Sequence, residues 1–586
     1  MYVLGISCYY HDASAALLKD GIVVAAAQEE RFTRKKHDTS FPINAINFCL
    51  ESQKITIDRV NHVGFYEKPL LKFERVLSQH IEMFPKSLKV FLSSIPSWMN
   101  EKLRVMKAIR KKLKYKGDVL FVQHHMAHAA GSFLVSPFRK AAVVTIDGVG
   151  EWTTTSYGIG EGNSIELLKE IRFPHSLGLL YSAITAYLGF SVNNSEYKVM
   201  GLSAYGDMDR KTNRHYAKLL KVIDLKDDGS YALDMSYFKY HFADRMPSRK
   251  LCLLLGGDTR LPYEPITQRH KDVAAALQMV YEDALFKILS HVHKETGLDD
   301  LVIGGGCALN SVANGKILNS TPFKRIWIQP DPGDGGTSLG VAAYVYHAIL
   351  GKKRAAAFRS PYLGPSYDNK EIKKFLEGRK IKYSEFRSED ELIEKTASLI
   401  FSNNVVGWFQ GRMEWGPRAL GARSILSNAC NLKMQDILNL KVKHREKFRP
   451  FAPAVCADDA NKHFECDQPI PIPTDYMLMV YPIKKEWHRK IPAVTHVDGS
   501  GRLQTIRREE NRLYYGLIKQ FGKLSGIPIL INTSFNIRGE PIVCTPFDAY
   551  KCMMGTGIDY LVMGKYLVKR EDNPQDRWDG EKCARD

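Results

Sequence analysis

One phrase occurs twice in the chain and limits more than any other what it can fold into. Residues 2–7, YVLGIS, form an apolar strand pattern that passes through HDASAALL and a KDG turn into a second apolar run, IVVAAAQEER. Residues 140–160, KAAVVTIDGVGEWTTTSYGIG, again give an apolar strand that ends in Asp-Gly and leads into a strand rich in Thr and Tyr. Hairpins followed by helical material, repeated within one chain, predict an internally duplicated α/β domain whose halves face each other across a cleft. Within the first hairpin, HDASAALL is expected to form a turn and a helix.

Glycine-rich turns between strands and helices strengthen this reading. An amphipathic pattern over 268–297, with Gly297 as its C-cap, precedes LVIGGGCALNSVANGKI, a strand running through three glycines into a helix. IWIQPDPGDGGTSLGVAAYVYHAI repeats that logic. Four such turns, Gly5 to Ser14, Asp147 to Gly150, Gly304 to Asn310 and Asp331 to Ser338, could bring backbone N–H groups and helix N-termini to phosphate oxygens. They suggest a nucleotide held between the two halves. The alternative is that they are ordinary strand-to-helix turns.

Residues 123–131, QHHMAHAAG, place three histidines within five positions. On a helix His124 and His128 lie one turn apart on the same face, the spacing that chelates a metal ion, although such a pair is also common as packing. Asp147 ends a strand shortly afterwards and Asp334 heads a glycine-rich helix start, so both can reach the same cleft. Two imidazoles with one or two carboxylates suit Fe(II) or another divalent metal acting as a Lewis acid. His125 points elsewhere on the helix and is read as a packing residue, with Ala127, Ala129 and Ala130 letting the helix lie close to its neighbours.

Length, cysteines and charge bound the rest. At 586 residues the chain exceeds one ordinary domain. Its ten cysteines are scattered without a CxxC pair, which suits a reducing compartment and argues against a cysteine zinc site. The N-terminus lacks a basic leader and no window offers the roughly 18 consecutive apolar residues of a span, so a cytoplasmic, unanchored protein is expected. Residues 66–117 are helical in pattern and end in EKLRVMKAIRKKLKYKG, read as a solvated basic face in preference to a membrane-surface helix. The net charge of +19 is concentrated partly in 412–449, where nine Lys and Arg face three Asp and Glu among glycines, prolines and aromatics. That mixture suits a folded anion pocket better than an electrostatic tail. A Gly, Pro and charge-rich stretch around 350–380 places a boundary at about residue 355, giving domains 1–355 and 356–586.

Many long phrases then carry a resemblance. GISCYYHDASAAL, EERFTRKKHD, QHHMAHAAG, VVTIDGVGEW, EYKVMGLSAYG, GGGCALN and DPGDGGTSLG in the first domain, and GRMEWGPRALGARSIL, KHREKFRPFAP and INTSFNIRGEPIV in the second, resemble the O-carbamoyltransferase family of nodulation-factor and antibiotic enzymes. The resemblance covers essentially the whole chain, with Leu202 to Gly206 reading LSAYG where the family usually has LAPYG. It implies an actin-like, RNase H-like duplicated ATPase-type domain followed by an α+β carbamoyl-adenylate-forming domain. In the latter, Lys443-His444-Arg445 fits the family's KxR signature and Ser534-Phe535-Asn536 its SxN signature.

The resemblance implies a function and a set of roles. Carbamoyl phosphate and ATP, with Mg2+ offsetting pyrophosphate charge, would give carbamoyl-adenylate, and Arg418, Lys443, Arg445, Arg502 and Asn532 would grip the anions. Arg423 and Arg449 either share that task or tie loops together. The first domain would transfer the carbamoyl group at an ion held by His124, His128 and Asp334, with Asp147 close by or ligating. Glu196, Lys198 and the 304–310 loop, with Gly304, Gly305, Gly306 and Asn310, would hold adenosine and ribose. His11, beside Asp12, is the candidate general base for the acceptor hydroxyl, a helix-capping or phosphate contact being the alternative.

The expected acceptor is a hydroxyl of a small molecule, a sugar or secondary metabolite. No membrane or nucleic-acid partner is expected, and the resemblance favours a homodimer. Two rivals are a small-molecule kinase of the actin-like superfamily, which leaves the histidine pair and the second anion site unused, and a tRNA-binding or tRNA-modifying protein suggested by charge alone.

Overall fold

The computed structural model describes residues 1–354, 357–358, 360–446 and 448–573, and these divide into two compact units. The first comprises residues 1–29 and 37–358, the second residues 30–36 and 359–586. The domain limits 355 and 356 themselves lie outside the described residues, as does the C-terminal limit 586. The short excursion 30–36 into the second unit departs from a division made by one cut.

The first unit contains the duplication expected from the repeated phrase. Strands β1 (Tyr2–Ser7), β2 (Ser14–Lys19), β3 (Ile22–Gln28), β4 (His62–Phe65) and β5 (Asp118–Phe121) form a sheet in the order β3-β2-β1-β4-β5. The first three are antiparallel, with Gly5 opposite Ala16 and Ala16 opposite Ala26, and β4 and β5 add in parallel. Strands β6 (Lys140–Ile146), β7 (Thr153–Glu161) and β8 (Ser164–Arg172) begin a second sheet, and a small separate hairpin pairs β9 (Ile223–Leu225) with β10 (Tyr231–Leu233). β11 (Asp300–Gly304) and β12 (Arg325–Trp327) complete the second sheet in the order β12-β11-β6-β7-β8. Order and direction match the first sheet strand for strand: β6 to β8 are antiparallel, and β11 and β12 are parallel.

HDASAALL corrects one expectation: residues 14–19 are β2, a strand and not a helix. Five of its six residues are buried, because β2 lies between β1 and β3 with both faces covered. A strand buried on both faces reads as a continuous apolar run, and sheet pairing overrides the helix preference of Ala and Leu.

The helix following β5, His124–Phe133, and the helix following β12, Thr337–Ala343, hold equivalent places in the two repeats. They pack at very close range. A Cβ on Gly340 would fall 2.0 Å from the Ala127 carbonyl oxygen, and one on Gly131 would fall 3.2 Å from the Gly340 Cα. The Gln268–Thr296 helix ends at Gly297 in the left-handed conformation, as its sequence predicts. Residues 66–117 supply the helices Pro69–Glu82, Leu88–Asn100 and Val105–Leu113.

The second unit is built on a nine-stranded mixed sheet. Its strands are β13 (Ser384–Glu385), β14 (Val406–Phe409), β15 (Arg423–Asn428), β16 (Ala452–Cys456), β17 (Met479–Pro482), β18 (Ser500–Ile506), β19 (Ile529–Ser534), β20 (Tyr560–Met563) and β21 (Tyr566–Lys569). They run in the order β13-β21-β20-β14-β15-β19-β16-β18-β17. The helices Glu389–Phe401 and Arg512–Ser525 cover it through a core that includes Leu392, Ile400, Trp408, Leu517 and Phe521. Residues 30–36 pack inside this unit: Phe32 lies against Met413, Ala419, Ile542 and Cys544, and Arg34 donates to the carbonyls of Pro541 and Ile542 at 2.7 Å each.

Candidate functional site

In the first unit, four side chains converge from both repeats. His124 and His128 come from the first turns of the helix after β5, Asp147 follows the C-terminal end of β6, and Asp334 stands in the turn ahead of the helix after β12. All four are buried, and one donor atom from each lies within 4.8 Å of every other. His124 Nε2 is 3.1 Å from His128 Nε2 and 3.2 Å from Asp147 Oδ2. The Asp334 carboxylate faces the same point, 3.4 Å from His128 Nε2 and 3.6 Å from His124 Nε2.

Glycines shape this cluster. Gly305 has φ +93°, and a Cβ there would fall 2.2 Å from the Ile146 carbonyl oxygen. Its neighbour Gly306 donates its N–H to Asp147 Oδ1 at 2.8 Å, leaving Oδ2 directed at the histidines. A Cβ on Gly304 would meet Ser132 Oγ at 2.4 Å, so the 304–306 turn fits closely against the histidine-bearing helix. Glu151 accepts the backbone N–H of His124 at 3.1 Å and that of Lys68 at 2.8 Å, placing a carboxylate at the start of that helix.

The electrostatics bear on what the cluster can hold. Burial opposes the charge on Asp147, yet the His124 hydrogen bond and the neighbouring imidazoles hold it well below the usual carboxylate range. Burial would lower His124, but Asp334 and Asp147 raise it above an ordinary imidazole. The Asp334 carboxylate is faced by imidazole nitrogens at 3.4 to 3.6 Å and by no closer donor among the described residues, and Nδ1 of both His124 and His128 is buried without a partner. A buried carboxylate without a close donor is costly unless a cation meets it. Two imidazole nitrogens and two carboxylates converging on one point form a donor set that fits a divalent metal ion.

His11 and Asp12 follow β1, the place in the first repeat that Asp147 holds in the second. His11 Nδ1 is 2.9 Å from Asp12, and its Nε2 is 3.6 Å from Asp334 Oδ2. Burial would lower it, but Asp334 and Asp12 raise His11 well above the ordinary imidazole value. Asp12, left-handed at φ +52°, also takes His37 at 2.7 Å, and His37 reaches Asn194 at 2.9 Å. Sequence reasoning assigned no role to His37 or Glu151. Glu151 acts on backbone N–H groups, for which spacing gives no signal; His37 lay within the EERFTRKKHD phrase.

His125 turns away, as its place on the helix implies: its Nδ1 lies 2.7 Å from Thr145 Oγ1, and burial with the two neighbouring histidines pulls its pKa down to about 3. Glu196 opens a helix and accepts from Ser182 Oγ at 2.7 Å and Asn193 N at 2.9 Å. Lys198 is buried beside the Phe190 ring. Asn310 is engaged within the fold, exchanging hydrogen bonds with Gln278 at 3.0 and 3.1 Å and capping residues 311–314.

The second unit gathers the other candidates around its central strands. Lys443 Nζ reaches Ser534 Oγ at 3.2 Å, Asn536 Oδ1 at 2.8 Å and the Asn536 carbonyl at 3.1 Å, and also donates to the Ser534 carbonyl. Burial, reinforced by Arg445, holds its pKa well below the ordinary lysine value. Arg445 donates to Asn439 Oδ1 at 2.8 Å and lies over the Phe451 ring. Asn532 on β19 donates to Gln504 and to the Ala419 carbonyl, next to half-buried Arg418, while Arg502 stands two residues before Gln504 on β18. Arg423 resolves as a loop tie: fully buried, it donates to the carbonyls of Gln410, Ala422, Pro365 and Gly411. Arg449 forms an ion pair with Glu446 at 3.5 Å.

The family description "Carbamoyltransferase N-terminus" matches residues 2–343 and "Carbamoyltransferase C-terminus" residues 397–570. The Synechocystis sp. protein sll1178 is 46% identical over 98% of this chain and 97% of its own. Nodulation protein U of Rhizobium tropici is 37% identical over 96% of this chain and 95% of its own, and nodulation protein NolNO of Sinorhizobium fredii 34% over 97% and 80%. Among solved structures, HypF of T. kodakarensis covers 60% of this chain and 48% of its own at 15% identity and a TM-score of 0.32.

Proposed function

Since the chain belongs to the carbamoyltransferase family, we propose that it is an ATP-dependent O-carbamoyltransferase that uses carbamoyl phosphate and modifies a hydroxyl of a small molecule. The observation that carries the ATP-dependent half is the meeting of two distant signatures, Lys443 from KxR with Ser534 and Asn536 from SxN. A buried ammonium with lowered proton affinity, next to Arg445, is built to receive anionic oxygens. There the carbamoyl group leaves phosphate and, with water consumed, is joined to the α-phosphate of ATP as pyrophosphate departs. Bound Mg2+ would offset the charge of the departing group.

The transfer half belongs to the first unit. His124, His128, Asp147 and Asp334 would hold a divalent ion, which when bound supplies a Lewis acid to the carbamoyl carbonyl or the acceptor oxygen. His11 is poised to take the acceptor proton, but Asp334 and Asp12 hold its own proton tightly. Neutralising Asp334 would remove one of these holds and leave Asp12 to orient the ring. AMP leaves as the acceptor oxygen bonds to the carbamoyl carbon. Glu196 and Lys198 are placed in this reading as the nucleoside contacts.

The test is product identity. Incubation with carbamoyl phosphate and ATP should release AMP and pyrophosphate, and an acceptor panel followed by mass spectrometry should show one added carbamoyl group. ADP as the nucleotide product would overturn the proposal and favour a kinase.

A further inference from the structure

Eight of the twenty-one large apolar side chains that stand exposed among the described residues fall within residues 70–106. This is a small part of the chain, and scattered exposure would not concentrate them so. The segment folds as two helices, Pro69–Glu82 and Leu88–Asn100, which pair antiparallel: Phe73 meets Trp98 with ring centroids 5.5 Å apart, and His80 meets Phe91 at 5.1 Å.

The pairing fixes where the exposed residues point. At about 100° per residue, Leu70, Leu77 and Ile81 lie on one flank of the Phe73–His80 seam, and Leu88, Leu92 and Met99 lie on the same rotational flank of the Phe91–Trp98 seam. Two antiparallel helices are related by a twofold axis perpendicular to their common plane, which keeps the front of one at the front of the other. Both stripes therefore form one apolar ridge on a single face of the hairpin. Leu70 is 75% exposed, Ile81 68% and Leu92 62%, and Phe84 projects from the connecting turn at 67%.

The next segment supplies the charge. Residues 102–116 contain eight Lys or Arg and no Asp or Glu, and Lys107, Arg110, Lys111 and Lys112 of the Val105–Leu113 helix are exposed. Exposed Glu74 and Glu82 are balanced by exposed Lys86 and Lys89, so the hairpin's exposed side chains carry no net charge. No helix of the described residues is long and apolar enough to cross a membrane. An apolar ridge continued by a purely basic segment matches a surface that is apolar below and anionic above. A second copy seated on the same ridge would bring two like-charged segments together.

Against the expectation of a solvated basic face and no membrane partner, we propose that the 69–100 hairpin and its basic extension, residues 102–116, form an interfacial docking surface for an anionic phospholipid bilayer. The ridge enters the headgroup boundary and the basic segment meets lipid phosphate. This surface stands independently of the carbamoyl chemistry.

The test is co-sedimentation of the full chain with phosphatidylcholine vesicles, with and without roughly one-third phosphatidylglycerol, at low and high salt. The wild type should sediment with the anionic vesicles and be released by salt. An Ile81→Glu/Leu92→Glu variant should lose at least about tenfold in partitioning while keeping its melting temperature. An Arg110→Gln/Lys111→Gln/Lys112→Gln variant should lose the preference for anionic lipid. Failure of the wild type to bind anionic vesicles would overturn the proposal. So would a wild-type dimer in light scattering that the Ile81→Glu/Leu92→Glu variant makes monomeric, since a second copy would then cover the ridge.

Discussion

At the scale of single residues, the converging cluster gives the sharpest expectation. His124→Ala should remove bound metal, read by elemental analysis, and lower carbamoyl transfer at least about hundredfold while leaving pyrophosphate release intact. Lys443→Met should do the reverse, abolishing pyrophosphate release while the metal stays. His215 offers a stability test away from both sites. It is buried with neither ring nitrogen hydrogen-bonded, and burial with Lys218 and Arg214 pulls its pKa from 6.5 to about 4. A depressed pKa means the folded state holds the proton less tightly than the unfolded chain. Stability is then full above about pH 6.5 and lost as pH falls toward about 4. The melting temperature should drop over that range, and His215→Phe should flatten the drop. The histidine pair and the two aspartates were legible because i, i+4 spacing and strand ends are properties of the chain. Arg423 was not separable from the arginines expected to bind anions, because its four carbonyl partners come together only in the folded loops.

At the scale of elements, the crossing of the two equivalent helices decides whether the four converging side chains meet at all. Gly340 sits where a methyl group would strike the Ala127 carbonyl oxygen, one residue before His128. Gly340→Ala should therefore force the helices apart, costing about 3 kcal/mol in stability and weakening metal binding together with it. Differential scanning calorimetry and metal titration of the same variant check both effects. The helix after β12 and the strands β6, β11 and β12 were readable from apolar runs ending in glycine turns. The strand β2 was not, because SAALLK carries no alternation when both faces are buried, and helix propensity then gives the wrong answer.

At the scale of the whole molecule, the repeated phrase was enough to predict the duplication, and the two sheets agree in order and direction. Composition pointed to a boundary near residue 355, but not to residues 30–36 leaving the first unit to pack in the second. That step is invisible in EERFTRKKHD, since nothing local distinguishes an exposed charged turn from one whose Phe32 has found an apolar site more than 370 residues further along the chain. Residues 1–358 and 359–586 coexpressed as separate polypeptides should elute together under native conditions and separate only in denaturant, as size-exclusion chromatography would show.

The same excursion bears on inheritance. A gene encoding either unit alone cannot be obtained by one break: truncation after the first unit leaves Phe32 and Arg34 without Met413, Ile542 and the 541–542 carbonyls, and the second unit by itself lacks a segment of its own interior. Recombination that swaps one half for a relative's must carry seven residues from the other end of the reading frame. The two halves are therefore expected to descend as one block.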